Sequence, residues 1–168
     1  MRCSATSEFL VVFFCNNDES FRHYRRELVL QNYSYFLSLQ IWHPNIDPSF
    51  ITKRLGMKPV HAHMFGTQRQ TPKGRLLEGV YRESYWVADP FERGEYLSTD
   101  DLLEDAVAEV FDELTPHTQF LLMLREQGAR LHLKASSFGK RNYALELSPQ
   151  WMLRCAGLGL SFVHDVYP

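Results

Sequence analysis

Residues 47–56 read DPSFITKRLG and residues 148–157 read SPQWMLRCAG. Each phrase begins with a side chain that caps a helix, continues with proline at the first helical position, and ends with glycine. Each also follows an alternating stretch that is typical of a strand, FLSLQIW in the first case and YALELS in the second. The repeated pattern predicts two strand–helix–strand halves that form a pseudo-duplication. We expect the aligned aromatic residues, Phe50 and Trp151, to be buried.

Further strands are predicted by apolar and polar side chains that alternate on both sides of the first phrase. Residues 33–43 alternate in this way, and shorter strands are expected near residues 57–64 and 83–88. Residues 129–136 are the clearest strand, because apolar side chains alternate there with basic ones. A loop is expected to fold residues 142–147 back beside them as a hairpin. The predicted sheet therefore has one apolar and one polar face.

Two helices are predicted between the halves. Ser98 or Thr99 provides a cap for the first helix, whose apolar residues repeat with helical spacing. Pro116 is interpreted as the start of a second helix, which ends at Gly128. The fold class that follows is α+β, with a mixed, mainly antiparallel sheet and helices packed on one face.

The length and composition indicate one globular domain preceded by an extension. The chain has 168 residues, which are enough to bury a hydrophobic core. Its formal net charge of -2 gives no general attraction to nucleic acid. Residues 33–168 form the predicted domain, and residues 1–32 form an N-terminal extension, either an extra strand or a poorly ordered segment. Residues 9–15, FLVVFFC, are too few to span a membrane and lack the flanks of a signal peptide. Three cysteines without a CxxC pair favour a cytoplasmic location.

Short motifs also follow one another in a defined order along the chain. They run from the first strand and DPSFITKRLG through Pro59 and the strand around Trp86 to a leucine-rich helix pair interrupted by Pro116, and they end in residues 148–167. In this order they resemble a bacterial family known only as domain of unknown function 4279, over about residues 34–167. The resemblance implies the fold and a bacterial setting, and it carries no catalytic residue over to this chain.

Three histidines give the sequence its most ligand-like spacing. His61 and His63 are two residues apart on a predicted strand, so their side chains point to the same side. His43, at the end of the first strand, supplies a third metal ligand if the strands pair in the right register. The competing interpretation, which we favour, is a pair of surface histidines beside a basic loop.

That basic loop is predicted over residues 65–79, where glycines and a proline lie among basic side chains. Arg69, Lys73 and Arg75 suit an anion or an acidic partner, because arginine side chains donate paired hydrogen bonds to carboxylate and phosphate. The spacing does not fit a P-loop, since no GK[ST] element opens a helix. The alternative is a solvated loop without a ligand.

Basic and aromatic side chains also share the polar face of the predicted sheet. His132 and Lys134 alternate along their strand, and Trp42 belongs to the first strand, so the three residues form a candidate recognition surface. Nucleic acid is not expected there, because residues 100–113 contain seven acids and no base and because no RNP-like aromatic pattern is present. The alternative is that these are ordinary solvated positions without a partner molecule, with Glu146 as a cross-strand partner of the basic side chains.

No motif in the sequence identifies catalytic residues, and Cys155 is expected to be a buried small side chain. The leading hypothesis is a non-enzymatic module that binds another protein, of the immunity or accessory type. The acidic stretch and the basic loop separate charge, which favours selective association. Neither a cofactor nor a membrane contact is expected. The alternative is a small-molecule, anion or metal-binding domain, including an enzymatic one, that uses His61, His63 and the basic loop. A homodimer that buries the open sheet face is a third hypothesis.

Overall fold

A computed structural model describes residues 32–140 and 142–168. The expectation for the N-terminal extension therefore lies, apart from Asn32, outside the described residues. The strands are β1 (Ser34–His43), β2 (His61–His63), β3 (Gln68–Gln70), β4 (Leu76–Val80), β5 (Ser84–Ala88), β6 (Glu95–Leu97), β7 (Arg130–Phe138) and β8 (Ser161–Tyr167). The helices are α1 (Pro48–Leu55), α2 (Leu103–Leu114), α3 (Thr118–Glu126) and α4 (Pro149–Gly157), and a 3-10 turn (Thr115–His117) joins α2 to α3.

Among the described residues the main sheet has six strands, in the order β2–β5–β1–β7–β8, with β6 paired to the first residues of β1. Neighbouring strands run antiparallel except β7 and β8, which are parallel. A parallel pair needs a crossover connection, and α4 lies within the connection between β7 and β8. The predicted α+β class with a mainly antiparallel sheet is confirmed.

The core lies between the sheet and the helices. Every second side chain of β1 points into it, because side chains alternate between the two faces of a strand. The predicted apolar stripe of α2 is buried along its whole length. Trp86 of β5 is fully buried, and its indole Nε1–H donates to the hydroxyl of Thr52, which ties the sheet to α1 (2.9 Å). No helix in the described ranges is long and apolar enough to cross a bilayer.

Both repeated phrases form capped helices, as predicted. Asp47 accepts a hydrogen bond from the backbone N–H of Ser49, and Ser148 accepts one from that of Trp151. The predicted burial of Phe50 is wrong, because its side chain is 45% exposed whereas Trp151 is 8% exposed. The buried residue of α1 is the next one, Ile51, so the buried faces of the two helices differ by one residue, or about 100° of rotation. The predicted glycine stop is right for Gly56, the left-handed C-cap of α1, but wrong for Gly157, which is the last residue within α4. The two phrases therefore share their N-terminal caps but neither their C-terminal ends nor their packing.

The start of α2 also differs from the prediction. Leu102 occupies the N-cap position without a side-chain hydrogen bond. Ser98, one of the two expected caps, is buried, and its hydroxyl accepts from the backbone N–H of Tyr33 at 3.0 Å. The residue thus anchors the start of β1 rather than the helix. The end of α3 follows the prediction, since Gly128 adopts a left-handed conformation with φ of 90°.

The hairpin predicted for residues 142–147 is absent from the described part of the chain. These residues form no strand, and β7 pairs instead with β8, so the predicted edge is already occupied. The alternation in the sequence has another cause. Tyr143, Leu145 and Leu147 are half-buried and pack against the core, while the residues between them face solvent.

The loop predicted over residues 65–79 contains a second, two-stranded sheet. β3 pairs with β4 in an antiparallel hairpin with an irregular register. Gly74, with φ of 79°, forms part of the turn, and the backbone N–H of Arg75 donates to the hydroxyl of Thr71 at 3.0 Å. Residues that favour turns in the sequence therefore mark the tip of a hairpin rather than an irregular loop.

Candidate binding face

The sheet face opposite the helices carries a row of side chains from four neighbouring strands. His63 of β2 lies opposite Tyr85 of β5, and Tyr85 lies opposite Trp42 of β1. Trp42 in turn lies opposite Arg130 of β7. Residues that are directly opposite in a sheet share a face. These four residues, His63, Tyr85, Trp42 and Arg130, are called the aromatic row below.

The members of the aromatic row are in contact. The ring centroids of Trp42 and Tyr85 are 5.0 Å apart, and those of Tyr85 and His63 are 5.5 Å apart. The guanidinium of Arg130 lies 5.1 Å from the ring centroid of Trp42, within the range of a cation–π interaction. Tyr81 extends the row, because its ring stacks on that of His63 at 3.6 Å. The row is therefore ordered by its own contacts.

His132 belongs to the next row of the same face, opposite Gln40. Its ring lies 4.9 Å from that of Trp42, in an edge-on arrangement. Burial lowers the pKa of His132, and the positive charge of Arg130 lowers it further. The imidazole is therefore neutral at pH 7 and adds a further uncharged ring beside Trp42.

The two basic side chains of this face are paired with acids. Arg130 contacts Glu83 at 2.7 Å, and Lys134 contacts Asp165 of β8 at 2.5 Å. The hydrogen bond with Asp165 raises the pKa of Lys134, and Lys134 lowers the pKa of Asp165. The expectation that Glu146 provides the cross-strand partner is wrong, because the segment that contains it is not a strand. The open face is therefore aromatic and polar rather than strongly basic.

A second aromatic cluster lies towards the other end of the same face. The rings of Phe36 and Phe138 are 5.9 Å apart, and those of Phe138 and Tyr167 are stacked at 4.9 Å. All three side chains are about 40% exposed: 42% for Phe36, 39% for Phe138 and 42% for Tyr167. The helices do not cover this end of the sheet, because they pack on the other face.

The structure separates the three histidines that the sequence combined into a metal site. His61 and His63 lie on the open face with ring centroids 5.7 Å apart, whereas His43 is buried on the core face. The Nδ1 of His43 accepts from two backbone N–H groups just after β1, at 3.2 and 3.0 Å. Its Nε2 therefore carries the proton and donates to Gln127 (3.1 Å). No group of three or more His, Cys, Asp or Glu is placed to hold a metal ion within residues 32–140 and 142–168.

The predicted basic residues of the loop are all on the hairpin. Arg69 is on β3, and Lys73 and Arg75 flank Gly74 in the turn; all three are exposed. A cavity of about 410 Å³ lies between β2 and this hairpin. The three basic residues do not line it, and its walls include His61 and His63 instead. The structure therefore brings the histidine pair and the basic hairpin to one end of the sheet.

The acidic stretch is partly neutralised by neighbouring arginines. Arg93 donates two hydrogen bonds to Glu109, at 2.8 and 3.0 Å, and Arg154 of α4 donates to Asp112 at 2.5 Å. The bidentate pair of Arg93 and Glu109 fixes the geometry of both side chains. Charges on α2 thus contribute to contacts within the domain as well as to its surface.

Sequence reasoning missed a hydroxyl–imidazole cluster on the core face. The Nε2 of His164 lies 2.8 Å from the hydroxyl of Ser137 and 3.1 Å from that of Tyr143. Ser137 is fully buried, so a substrate has no access to its hydroxyl. The cluster joins residues 142–147 to β7 and β8. Tyr85 was also missed as a site residue, although its alternation with the buried Trp86 was the signal that places it on the open face.

Comparison with known proteins gives a family and no characterised relative. Neither the curated proteins nor the solved structures contain a match to this chain. Residues 31–168 match the family described as Domain of unknown function (DUF4279). Because this match covers most of the sequence and includes the whole sheet, the chain belongs to the DUF4279 family.

Proposed function

We propose that this protein is a non-enzymatic bacterial module of the cytoplasm that binds another protein, in an immunity or accessory role. The single observation that carries the proposal is the aromatic row. Its four side chains are ordered on a sheet face that no helix within residues 32–140 and 142–168 covers. Aromatic side chains on such a face remain in contact with water unless a partner covers them, and exposed apolar patches of this kind mark interaction sites.

The composition of the row suits a protein interface. Trp, Tyr and Arg are the residue types that contribute most binding energy when a partner excludes water from them. Trp42, Tyr85 and Arg130 are held by contacts with one another, so little side-chain entropy remains to be lost on binding. Phe36, Phe138 and Tyr167 extend the apolar surface at the other end of the face. The face thus offers two anchoring clusters for one partner.

The placement of two potential nucleophiles, Cys155 and Ser137, supports a binding role. Burial raises the pKa of the Cys155 thiol, which keeps it protonated, and its Sγ lies 3.5 Å from the carbonyl oxygen of Leu160. Ser137 is fully buried beside His164. Neither group meets the requirement that a nucleophile reach a substrate.

Site-specific photocrosslinking in the native cell tests the proposal. Tyr85→p-benzoylphenylalanine places a crosslinker in the aromatic row, and Leu153→p-benzoylphenylalanine places one on α4, on the helix side of the domain. Leu153 is 71% exposed, and Tyr85 is half-buried on the open face. We expect a discrete crosslinked protein at position 85 and none at position 153.

Two outcomes would overturn the proposal. One is the absence of an adduct at position 85 under conditions where the protein is present and folded. The other is an adduct with the mass of two copies of this chain, which would favour the homodimer over a separate partner.

A second candidate function is the binding of a small molecule, anion or metal at the hairpin, including an enzymatic role. The cavity of about 410 Å³ beside His61 and His63 favours it, because pockets of this size hold small ligands. Metal analysis of the purified chain separates the metal version from the others. Stoichiometric metal that is lost in a His61→Asn and His63→Asn double variant would support it.

A further inference from the structure

The cavity between β2 and the hairpin has a distinctive chemical lining. Its walls carry polar side chains on both sides among apolar surface, and no carboxylate belongs to them among the residues that the structure describes. The lining residues are His61, Ala62, His63, Thr67, Gln68, Gln70, Thr71, Pro72, Gly74 and Tyr81. Imidazole, hydroxyl and amide groups all donate hydrogen bonds. A lining of donors without a negative charge suits a ligand that accepts hydrogen bonds.

Some of these donors are already used to build the hairpin. The hydroxyl of Thr67 donates to the carbonyl of Met64 (2.7 Å), and the Tyr81 hydroxyl lies 3.2 Å from both the backbone N and O of Gln70. The amide of Gln68 donates to the carbonyl of Leu77. These bonds fix the wall of the cavity opposite β2.

Other donors remain available for a ligand. The hydroxyl of Thr71 accepts a hydrogen bond from the backbone of Arg75, so its own hydrogen is still free to donate. The side chain of Gln70 makes no hydrogen bond to a described residue, and both of its amide hydrogens are available. His61 and His63 contribute their imidazoles from the strand on the other side. The available donors thus lie on both walls of the cavity.

The charge around the cavity is positive. Residues 66–82 contain four basic residues, at positions 69, 73, 75 and 82, and one acidic residue, Glu78, which gives a net charge of +3. The nearby Glu83 is engaged by Arg130, as described above. Clustered positive charge raises the local concentration of anions.

We propose that this cavity binds a carboxylate group. The source of the carboxylate rests on the proposed function: it is an acidic side chain of the protein partner. The cavity adjoins the aromatic row, because His63 belongs to both. A partner that covers the row therefore reaches the cavity without a second docking surface. Carboxylate suits the available donors, because it accepts hydrogen bonds at both of its oxygens.

His63 provides the readout. Burial lowers the pKa of His63, the neighbouring His61 lowers it further, and Glu83 opposes both effects. An opposite charge within a few ångströms favours the protonated imidazole, so a bound carboxylate raises the pKa. We expect NMR titration of the full chain to show that succinate raises the pKa of His63 in a saturable way. The NMR signals of His117, on the 3-10 turn, are expected not to respond to succinate.

Three comparisons decide the inference. Succinamide, which has the same shape without charge, is expected to cause no change in the pKa of His63. His61→Asn is expected to weaken succinate binding by about threefold or more, and His117→Asn is expected to leave it unchanged. His61 is exposed, so this substitution does not threaten the fold. Equal effects of succinate and succinamide, or no effect of succinate at all, would overturn the proposal.

A hexaglutamate peptide tests the source of the carboxylate. We expect the peptide to bind at least as tightly as succinate, because any one of its several carboxylates can occupy the site beside the positive hairpin. A cavity that binds succinate but rejects the peptide would overturn the assignment to a protein side chain and leave a free organic acid as the ligand. These measurements need no partner, so they succeed or fail independently of crosslinking at Tyr85.

Discussion

Trp42 and Tyr85 lie directly opposite each other on β1 and β5, with their ring centroids 5.0 Å apart and their planes inclined by 35°. This pair is the centre of the aromatic row, because His63 contacts Tyr85 on one side and Arg130 contacts Trp42 on the other. The same strand, β5, places Trp86 in the core one residue later. Neighbouring aromatic residues of one strand thus serve the fold and the surface separately.

This division predicts a substitution that affects binding more than folding. We expect Trp42→Ala to weaken binding of the crosslinked partner by at least about tenfold, or about 1.4 kcal/mol, because it removes the centre of the row. Leu153→Ala, on the helix side, is expected to leave affinity unchanged. Titration calorimetry with the purified partner measures both, and thermal unfolding confirms that the variants are folded. Equal affinities for Trp42→Ala and the original protein would contradict a central role for this residue.

The hydrogen bond between Trp86 and Thr52 predicts a matched pair of stability changes. Thr52→Val removes the acceptor and leaves the indole N–H buried without a partner, which costs about 1–3 kcal/mol. Thr52→Ser keeps a hydroxyl at the same place and is expected to retain most of that free energy. Urea unfolding measures the difference between the two variants. A Val variant as stable as the Ser variant would show that the hydrogen bond contributes little.

The sheet and its buried face were largely predictable, because period-two alternation depends on each strand alone. Residues 129–136 show this, since their apolar side chains are those that the structure buries. The rotation of α1 relative to α4 was not predictable. Phe50 and Trp151 occupy equivalent positions after the same kind of cap, and which helix face is buried depends on how each helix meets the sheet.

The candidate face was predictable only in part, for a similar reason. Trp42, His132 and Lys134 were found from alternation, whereas Tyr85 became a partner of Trp42 only through the register between β1 and β5. The candidate metal site of His43, His61 and His63 is wrong for the same reason, because it too depends on how the strands pair. His43 lies on the core face of β1, and no property of the isolated strands shows how β2 is placed relative to it.

Three imidazoles predict how stability depends on pH. Burial is the largest cause that lowers the pKa of His63, His132 and His164 in the folded protein. The unfolded chain then binds protons more readily than the folded one as the pH falls below about 6.5. The stabilisation is complete above that value, and it is lost as the pH falls towards the lowered values. We expect the free energy of unfolding to decrease as the pH falls below about 6.5.

Substitution identifies the histidine that contributes to this pH dependence. His164→Gln is expected to reduce the proton uptake on unfolding by up to about one proton in the same pH range, since glutamine does not titrate. His117→Gln serves as the control on the 3-10 turn. Urea unfolding at several pH values gives the slope for each variant. A slope for His164→Gln identical to that of the original protein would assign the dependence to other groups.

Two glycines of the sequence GLG at the end of α4 predict opposite effects of alanine. Gly157 is the last residue of α4, and a Cβ there meets no atom within 4 Å, so Gly157→Ala is expected to stabilise the helix by up to about 1 kcal/mol. Gly159 has φ of 68°, and a Cβ there lies 2.8 Å from the Cδ of Arg125. That side chain also donates to the carbonyl of Gly159 at 2.9 Å, so its displacement loses a contact between α3 and the start of β8. Gly159→Ala is therefore expected to destabilise the protein by about 1–2 kcal/mol or more, because alanine is strained in the left-handed region. Urea denaturation of the two variants measures the sign of each change in the free energy of unfolding. A Gly159→Ala protein as stable as the original would show that this turn relaxes without cost.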